Sequence, residues 1–355
     1  ASSAVPPCGS AWAGAPGTGG GLPPGCTGAA PSREGAWSPR LRVGCYPGLR
    51  DEPVYGALRN SLYGSARGVR VERVFFPPEL DAVAAMLGAG VVDVALMYSE
   101  DAVAHAAANR LLRICGTLAA APRRFVLLAP VATLPSCRRA TDTVGVAAGL
   151  CPRLALALLG DELGWGRAPP AVAEMSSAAE ALDAMLWSRE AQAVLWEDSP
   201  ALRSLAEGTC DVLTEVSCPW PTHLLVASAE ACRRKMGCVR EVVGHTSLLC
   251  EEFKANVHNG AVDRLSQGHG LSQQDALDLL AAGEWSCSGG VDESTAQQLL
   301  GLLVRLGHLP AESLELPARS LLAPGACRWG GQVRGGDCGE EASGGDPQAP
   351  LLPAA

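Results

Sequence analysis

Several aromatic and acidic residues stand directly after short apolar runs, where a side chain can reach a bound molecule. Tyr98, Ser99 and Glu100 follow one such run, and Trp196 and Glu197 follow another. An aromatic face beside carboxylates suits a flat ligand that is partly cationic or donates hydrogen bonds. The same residues also have structural explanations, because an acid in the first turn of a helix interacts favourably with the helix dipole and tryptophan is often a core residue.

Patterns for other kinds of chemistry are missing from the sequence. It contains no Cys-x-x-Cys pair and no His-Glu-x-x-His, and the spacing of Cys232, Cys238, His245 and Cys250 is irregular. The glycines of 17–21 lie in low-complexity sequence without a preceding strand, so they do not predict a phosphate-binding loop. No Gly-x-Ser-x-Gly elbow is present. We therefore expect no metal site, no cofactor and no catalytic residue.

Charge and hydropathy exclude two classes of partner. The 355 residues include 28 basic and 37 acidic side chains, a net charge of −9, which disfavours binding to a phosphate backbone. The most apolar stretch, 111–134, is interrupted by Arg113, Arg123 and Arg124, so no membrane span is expected. The predicted partner is therefore a small molecule and not a nucleic acid or a membrane. We expect a monomer, although the sequence does not fix the oligomeric state.

The cysteines indicate the compartment. There are 14 in a long chain, and Cys45, Cys115, Cys151 and Cys250 lie within or beside apolar runs, where a free thiol behaves as a small buried hydrophobe. This favours a reducing compartment, and a cytoplasmic location is expected. An organelle, reached by removal of an amino-terminal transit segment, is the alternative.

Short β-branched runs alternate with helical patterns, which predicts an α/β fold with a mixed sheet and helices on both faces. Strands are predicted at 41–44, 69–76, 91–98, 112–118 and 124–128, then at 143–147, 172–175, 192–196 and 212–216. Helices are predicted at 53–65, 79–89, 101–109, 151–163, 177–187 and 200–207, with mostly helical sequence up to 310. Ser177 with Glu180 predicts a capping box at the start of its helix.

The two runs of elements predict two lobes joined by two crossings. Lobe one comprises 41–130 and 225–315, lobe two comprises 139–220, and the crossings are expected near 129–139 and 219–226. Segment 1–40 is rich in glycine and proline and is predicted to be disordered or a targeting segment, and 324–355 to be a disordered tail.

Ligands of open α/β sheets bind beyond the carboxyl ends of the strands. That rule selects the candidate ligand-binding residues Tyr46, Pro47, Glu79, Tyr98, Ser99, Glu100, Gly149, Ser176, Trp196, Glu197 and Trp220. Trp220 stands between two prolines, so packing as a rigid hinge element is its alternative role. For Glu79, as for Glu100, the alternative is a helix-start acid.

The order of these elements resembles the type 2 periplasmic-binding-protein fold, and more specifically a eukaryotic solute-binding-like subgroup related to sulfonate-binding and thiamine-pyrimidine-precursor-binding proteins. The stretches that carry the resemblance are Leu41–Gly44, Val92–Glu100, Ala193–Glu197 and Cys218–Pro221, together with Leu271–Ala276 and Trp285. The resemblance implies a non-catalytic binding protein that closes two lobes over a small polar or heteroaromatic ligand.

The loops depart from the pattern of that family, which favours small and hydroxyl residues with free backbone N–H groups. Here they read Phe76-Pro-Pro-Glu79 and Ala148-Gly-Leu-Cys-Pro152, and proline removes donors. One alternative is therefore a degenerate binding fold used for protein–protein interaction. The other is an enzyme like the thiamine-pyrimidine synthases, which use a histidine, a lysine with pyridoxal phosphate and a cysteine cluster. The chain has only Lys235 and Lys254, and neither is predicted at a strand end in the cleft.

Overall fold

The computed structural model describes residues 40–45, 52–54, 69–75, 80–131, 143–165, 170–199, 202, 205–256, 260–281, 285 and 291–326. All of them belong to one unit that spans Ser38–Ala355. Three of the predicted site residues, Tyr46, Pro47 and Glu79, lie outside the described residues, as do 1–39 and 327–355 with the disorder predicted for them.

Eight strands of the described residues form one mixed sheet. They are β1 (Arg40–Cys45), β2 (Arg70–Phe75), β3 (Val94–Tyr98), β4 (Leu112–Pro130), β5 (Thr143–Ala147), β6 (Ala171–Met175), β7 (Ala193–Glu197) and β8 (Cys210–Ser228). Their order across the sheet is β2-β1-β3-β8-β4-β7-β5-β6. The outer strands pair in parallel, and β3, β4, β7 and β8 meet in antiparallel pairs.

The long strands β4 and β8 divide this sheet into two halves. The carboxyl half of β8 pairs with β3, so that Tyr98 lies opposite His223, whereas the carboxyl half of β4 pairs with β7, so that Phe125 lies opposite Glu197. Between these two regions the β4–β8 register shifts repeatedly. The predicted α/β, two-lobed architecture with two crossings is confirmed.

The strands at the crossings differ from the prediction. The predicted strands 112–118 and 124–128 are one continuous strand, β4. The predicted strand 212–216 is the first part of the longer strand β8, which continues to Ser228. Irregularities between Thr117 and Arg124 let β4 bend without ending, as β-bulges do. The first crossing therefore lies inside β4 and not at 129–139, and residues 125–128 belong with β7 in the second half.

Helices cover the sheet. They are α1 (Leu80–Gly88), α2 (Ser99–Asn109), α3 (Leu150–Leu163), α4 (Ala178–Asp183, extended by a π-helical turn Ala184–Ser188), α5 (Ala229–Arg234), α6 (Met236–Ala255), α7 (Ala261–His269), α8 (Gln273–Ala281) and α9 (Glu293–Arg305). The side chain of Ser177 accepts a hydrogen bond from the Glu180 N–H, which confirms the predicted start of α4. No helix among the described residues is long and apolar enough to cross a membrane.

The core has two parts: a larger one that spans both halves of the sheet, and a smaller one between the second half and α4. In the larger part Trp285 is fully buried and packs edge-on against Phe253, with ring centroids 5.2 Å apart. The chain after the second of two 3₁₀ turns, Ala311–Glu315 and Ala318–Ser320, adds to the edge of β4. There the Ile114 N–H donates to the Leu321 carbonyl, and the Ile114 carbonyl accepts from the Ala323 N–H. The ordered fold thus reaches Ala326, which is buried, beyond the predicted start of the tail at 324.

Candidate functional site

The junction of the two sheet halves is formed by the start of α2 and by β4, β7 and β8. Because α2 begins directly at the carboxyl end of β3, Tyr98, Ser99 and Glu100 are presented in sequence at this junction. The Ser99 hydroxyl donates to the carbonyl of Pro221, at 2.5 Å, and so ties the start of α2 to the crossing strand β8. Helices α2 and α3, which flank different halves, contact each other.

Arg123, on the irregular part of β4, lies at the centre of the junction. Its Nη2 donates to Glu197 Oε2 at 2.5 Å, and its Nη1 lies 3.5 Å from Glu100 Oε1. The exposed fractions of the three side chains are 12% for Arg123, 1% for Glu100 and 28% for Glu197. Glu100 comes from the first half of the sheet and Glu197 from the second, so one guanidinium bridges both halves.

Aromatic rings surround this guanidinium. Its Cζ lies 4.8 Å from the ring centroid of Tyr98 and 5.3 Å from that of Phe125. The Tyr98 ring in turn packs on the imidazole of His223, with centroids 4.4 Å apart and planes tilted by 37°. Cation–π attraction adds to the ion pairs, and it is strongest where water is excluded.

Three polar atoms at the junction are buried without a hydrogen-bond partner among the described residues: Glu100 Oε2, Arg123 Nε and Trp220 Nε1. The indole of Trp220 and the thiol of Cys151 both face the Glu100 carboxylate, but the indole N–H does not reach hydrogen-bond geometry. A buried unsatisfied donor or acceptor costs about 1–3 kcal/mol, so such groups are normally paired in folded proteins. All three atoms lie where the two halves of the sheet meet.

Burial and charge act against each other at this cluster. Burial raises the pKa of the Glu100 carboxyl above its ordinary value, and the positive charge of Arg123 offsets only part of this effect. Burial alone would lower the pKa of Arg123, but Cys151, Glu197, Tyr98 and Glu100 together raise it well above its ordinary range. The guanidinium is therefore charged at all relevant pH values.

A thiol pair borders the cluster. The sulfur of Cys151, in the first turn of α3, lies 3.8 Å from that of Cys218 on β8. The contact with Cys218, the burial and the nearby Glu100 raise the pKa of the Cys151 thiol well above its ordinary value. The Cys151 thiol is consequently protonated and unreactive.

The structure brings Tyr98, Glu100, Glu197 and Trp220 together around Arg123, whereas the other described candidates lie apart from that centre. Gly149 is the N-cap of α3, with a positive φ of 121°, and stands two residues before Cys151.

Ser99 faces a small groove between α2 and α9. The groove has an empty volume of about 310 Å³ including its open mouth, and Val103, Pro221 and Leu299 line it as well. Ser176 donates its N–H and its hydroxyl to Glu180 at the start of α4.

Trp196 is half-buried against the second core cluster, with Met175 and Leu182. Successive residues of a strand point to opposite faces, so Trp196 does not share the face of its neighbour Glu197. Trp196 therefore has the position of a core residue, which was the alternative to ligand binding.

Sequence reasoning missed Arg123, Cys151 and His223 as members of the junction. For Arg123 a signal existed, because an arginine inside the most apolar stretch of a chain must be buried with partners or break the run. Both lysines lie elsewhere. Lys235 binds Asp93, which precedes β3 at the end opposite Tyr98, and Lys254 lies 3.9 Å from Glu251 on α6.

No protein-family model matches the sequence, and no curated protein does. Solved structures do match. A Candida albicans protein, described as defining a new family with the generic periplasmic-binding-protein fold, has 16% identity and a TM-score of 0.64 over 80% of this chain and 96% of its own.

Two sulfonate-binding proteins match at a similar level. The alkanesulfonate-binding protein SsuA from Xanthomonas axonopodis pv. citri, bound to MOPS, has 18% identity and a TM-score of 0.61 over 80% of this chain and 99% of its own. The periplasmic aliphatic sulphonate-binding protein SsuA from Escherichia coli has 14% identity and a TM-score of 0.64 over 81% and 98%. At these identities the likeness is one of architecture, and it shows that the chain has the two-lobed fold of the periplasmic binding proteins.

Proposed function

We propose that this protein is a non-catalytic binding protein that holds a small polar or heteroaromatic solute between the two halves of its sheet. The observation that carries the proposal is the group of three buried atoms that have no hydrogen-bond partner in the described part of the chain, Glu100 Oε2, Arg123 Nε and Trp220 Nε1. A solute that pairs all three would recover a few kcal/mol from the protein side alone. The structural neighbours are named as binding proteins, which agrees with this role.

The three atoms define the chemistry of the solute. Arg123 Nε and Trp220 Nε1 are donors, so the solute must present an acceptor to them: a carbonyl, carboxylate or sulfonate oxygen, or a ring nitrogen. Glu100 Oε2 is an acceptor when the carboxyl is ionised, so a donor on the solute should face it. The sulfonates that two of the neighbours bind satisfy the first requirement, and an aminopyrimidine satisfies both.

Binding would act through closure of the cleft. Glu100 and Glu197 belong to different halves, so a solute seated among them contacts both and favours the closed state by its differential affinity. A micromolar dissociation constant corresponds to about 8 kcal/mol. Two or three charge-assisted hydrogen bonds at about 1.5–3 kcal/mol each, together with an aromatic contact, supply that amount.

A thermal-shift panel on the full chain tests the proposal. The panel contains alkanesulfonates, aminopyrimidine thiamine precursors, pyridoxal phosphate, aromatic amines and polyamines. At about 100 times its dissociation constant a true ligand adds about 2.7 kcal/mol, which is a rise of about 4–5 °C in Tm for a protein of this size.

The test variant is Trp220→Phe, which keeps an aromatic ring and removes the N–H. The matched control is Trp187→Phe, since the Trp187 side chain is 79% exposed. The shift should weaken in the first variant only. A panel without any shift, or a ligand that binds Trp220→Phe as tightly as the wild type, would contradict the proposed site.

One observation favours a second candidate, a degenerate binding fold kept for protein–protein interaction. Arg123 already pairs with Glu100 and Glu197, so the chain itself neutralises much of the charge in the cleft. A flat solute panel together with co-purification of a protein partner would support this alternative.

We further propose a monomer in a reducing compartment, the cytoplasm. The described side chains of Cys151, Cys218 and five other cysteines are all free thiols, which agrees with such a compartment. Thiol titration of the native and unfolded protein purified from cells tests the compartment, and sedimentation tests the oligomeric state.

A further inference from the structure

Two carboxylates and an aromatic ring at the junction form a cation-binding cage that the chain fills with its own side chain. Glu100 approaches the guanidinium of Arg123 from the first half of the sheet, Glu197 binds it from the second half, and the Tyr98 ring lies 4.8 Å from it. This is the set of contacts that a bound guanidinium or ammonium solute would make. We infer that Arg123 is a tethered ligand of its own cleft, which holds the two halves closed when no solute is bound.

The distances indicate how the contact would open. Arg123 lies 2.5 Å from Glu197 but 3.5 Å from Glu100, and of these two carboxylates it has a hydrogen bond to Glu197 and a longer ion-pair contact with Glu100. Separation of the halves therefore breaks the weaker contact with Glu100 and leaves Arg123 on the second half. The freed Glu100 carboxylate then gains water, which offsets part of the cost of opening.

The part of this inference that concerns the natural ligand rests on the proposed function. It restricts the expected ligands to molecules that bear a hydrogen-bond acceptor. A cationic solute would have to displace Arg123 from both carboxylates, whereas a solute with an oxygen or ring-nitrogen acceptor can bind beside it at Arg123 Nε. The expected ligand is therefore an acceptor-bearing molecule such as a sulfonate, a carboxylate or a pyrimidine. Simple amines and guanidines should not bind the wild-type protein.

Removal of the tethered group should turn the cage into a site for a free cation. In Arg123→Ala the full chain should bind methylguanidinium saturably, with a millimolar dissociation constant by titration calorimetry and a rise in Tm of several degrees. The wild type should show neither effect. The matched control is Arg124→Ala, since Arg124 is 59% exposed and lies 3.8 Å from Asp198, so its removal leaves no cage.

The double variant Arg123→Ala with Glu197→Gln separates this cage from non-specific binding. Loss of one carboxylate should weaken methylguanidinium binding at least fivefold. If Arg123→Ala binds methylguanidinium no more tightly than Arg124→Ala, or if the double variant binds as well as the single one, the inference is wrong.

A second measurement applies where Arg123→Ala does not fold. The single change Glu100→Gln retains Arg123 and its pair with Glu197 but removes the ion pair that joins the two halves. It should increase the radius of gyration in solution scattering and speed hydrogen exchange at the start of α2. An unchanged radius and unchanged exchange would overturn the tethered-ligand inference. The solute panel above uses the wild type, so its failure is distinguishable from failure of these variants.

Discussion

Replacement of Arg123 by methionine separates the role of its charge from the packing of its side chain. Methionine fills nearly the same length, so the loss is mainly the hydrogen bond to Glu197 and the positive charge beside Glu100. Glu100 is only 1% exposed and cannot reach water. An uncompensated charge in such a position costs about 3–5 kcal/mol, which corresponds to about 5–8 °C in Tm for a folded unit of this size.

The double variant Arg123→Met with Glu100→Gln identifies the source of that loss. If the uncompensated carboxylate is responsible, neutralising it should restore at least half of the lost stability, although one more native group has been removed. Glu100→Gln alone should be nearly neutral or slightly stabilising, because it removes a buried charge and keeps the shape. Urea unfolding of the four proteins at pH 7 gives the coupling free energy directly.

The pH dependence gives an independent check. Burial raises the pKa of Glu100 above its usual 4.5 in the folded state, so the neutral form is the one that the fold favours. The stabilisation that protonated Glu100 gives the folded state is complete below the usual pKa of 4.5 and is lost as the pH rises through the raised pKa. Arg123→Met should therefore recover towards wild-type stability on acidification. Arg124→Met removes an arginine that is 59% exposed and 3.8 Å from the largely buried Asp198, so it should lose less stability than Arg123→Met. Equal losses in Arg123→Met and in the double variant, with no recovery in acid, would refute the reasoning.

Three further changes test interactions that stabilise the fold around this junction. Asp93→Asn should cost about 2–4 kcal/mol, since this carboxylate accepts hydrogen bonds from Arg42 and Lys235. Burial alone would raise the pKa of Asp93, but these partners lower it below 3.8. The stabilisation of the fold by this carboxylate is therefore complete above pH 3.8 and is lost as the pH falls through the lowered pKa, which urea unfolding should detect. Trp285→Ala should cost about 3–5 kcal/mol by urea midpoint because the ring is fully buried, and a loss below 1 kcal/mol would show that the site is not packed as described. Ser177→Ala removes the N-cap of α4 and should lower Tm by about 2–4 °C in a thermal melt, while Ser177→Asp should keep it unchanged.

Much of the junction follows from sequence because the carboxyl ends of strands meet at one edge. Tyr98 and Glu100 stand at the end of β3 and Glu197 at the end of β7, and the structure brings them together. The separation of Trp196 from Glu197 was also predictable, since neighbours on a strand face opposite ways. The rule for strand ends nevertheless selects both as candidate ligand-binding residues, because it considers positions along the strand and not the faces of the sheet.

The central residue could not be placed from sequence. Arg123 lies on β4 between two stretches that looked like separate strands, and repeated register shifts decide which way its side chain points. Nothing in the local residue pattern specifies such shifts, because they arise from the pairing of β4 with β8, about a hundred residues away in the sequence. The charge within an apolar run indicated a buried arginine, but its partners belong to the tertiary structure.

The proline-containing loops bear directly on whether this cleft still binds a solute. In the loop 148–152 the missing N–H of Pro152 falls in the first turn of α3, so that helix end offers fewer backbone donors. Yet the junction contains two buried N–H donors without partners in the described part of the chain, Arg123 Nε and Trp220 Nε1, both on the crossing strands. A decayed site would be expected to lose such costly groups, since replacing them with apolar residues removes the penalty. Under the proposed function, recognition would rely on side chains of the crossing strands in place of loop backbone. Loss of binding in Trp220→Phe, with the loops untouched, is the result that this account requires.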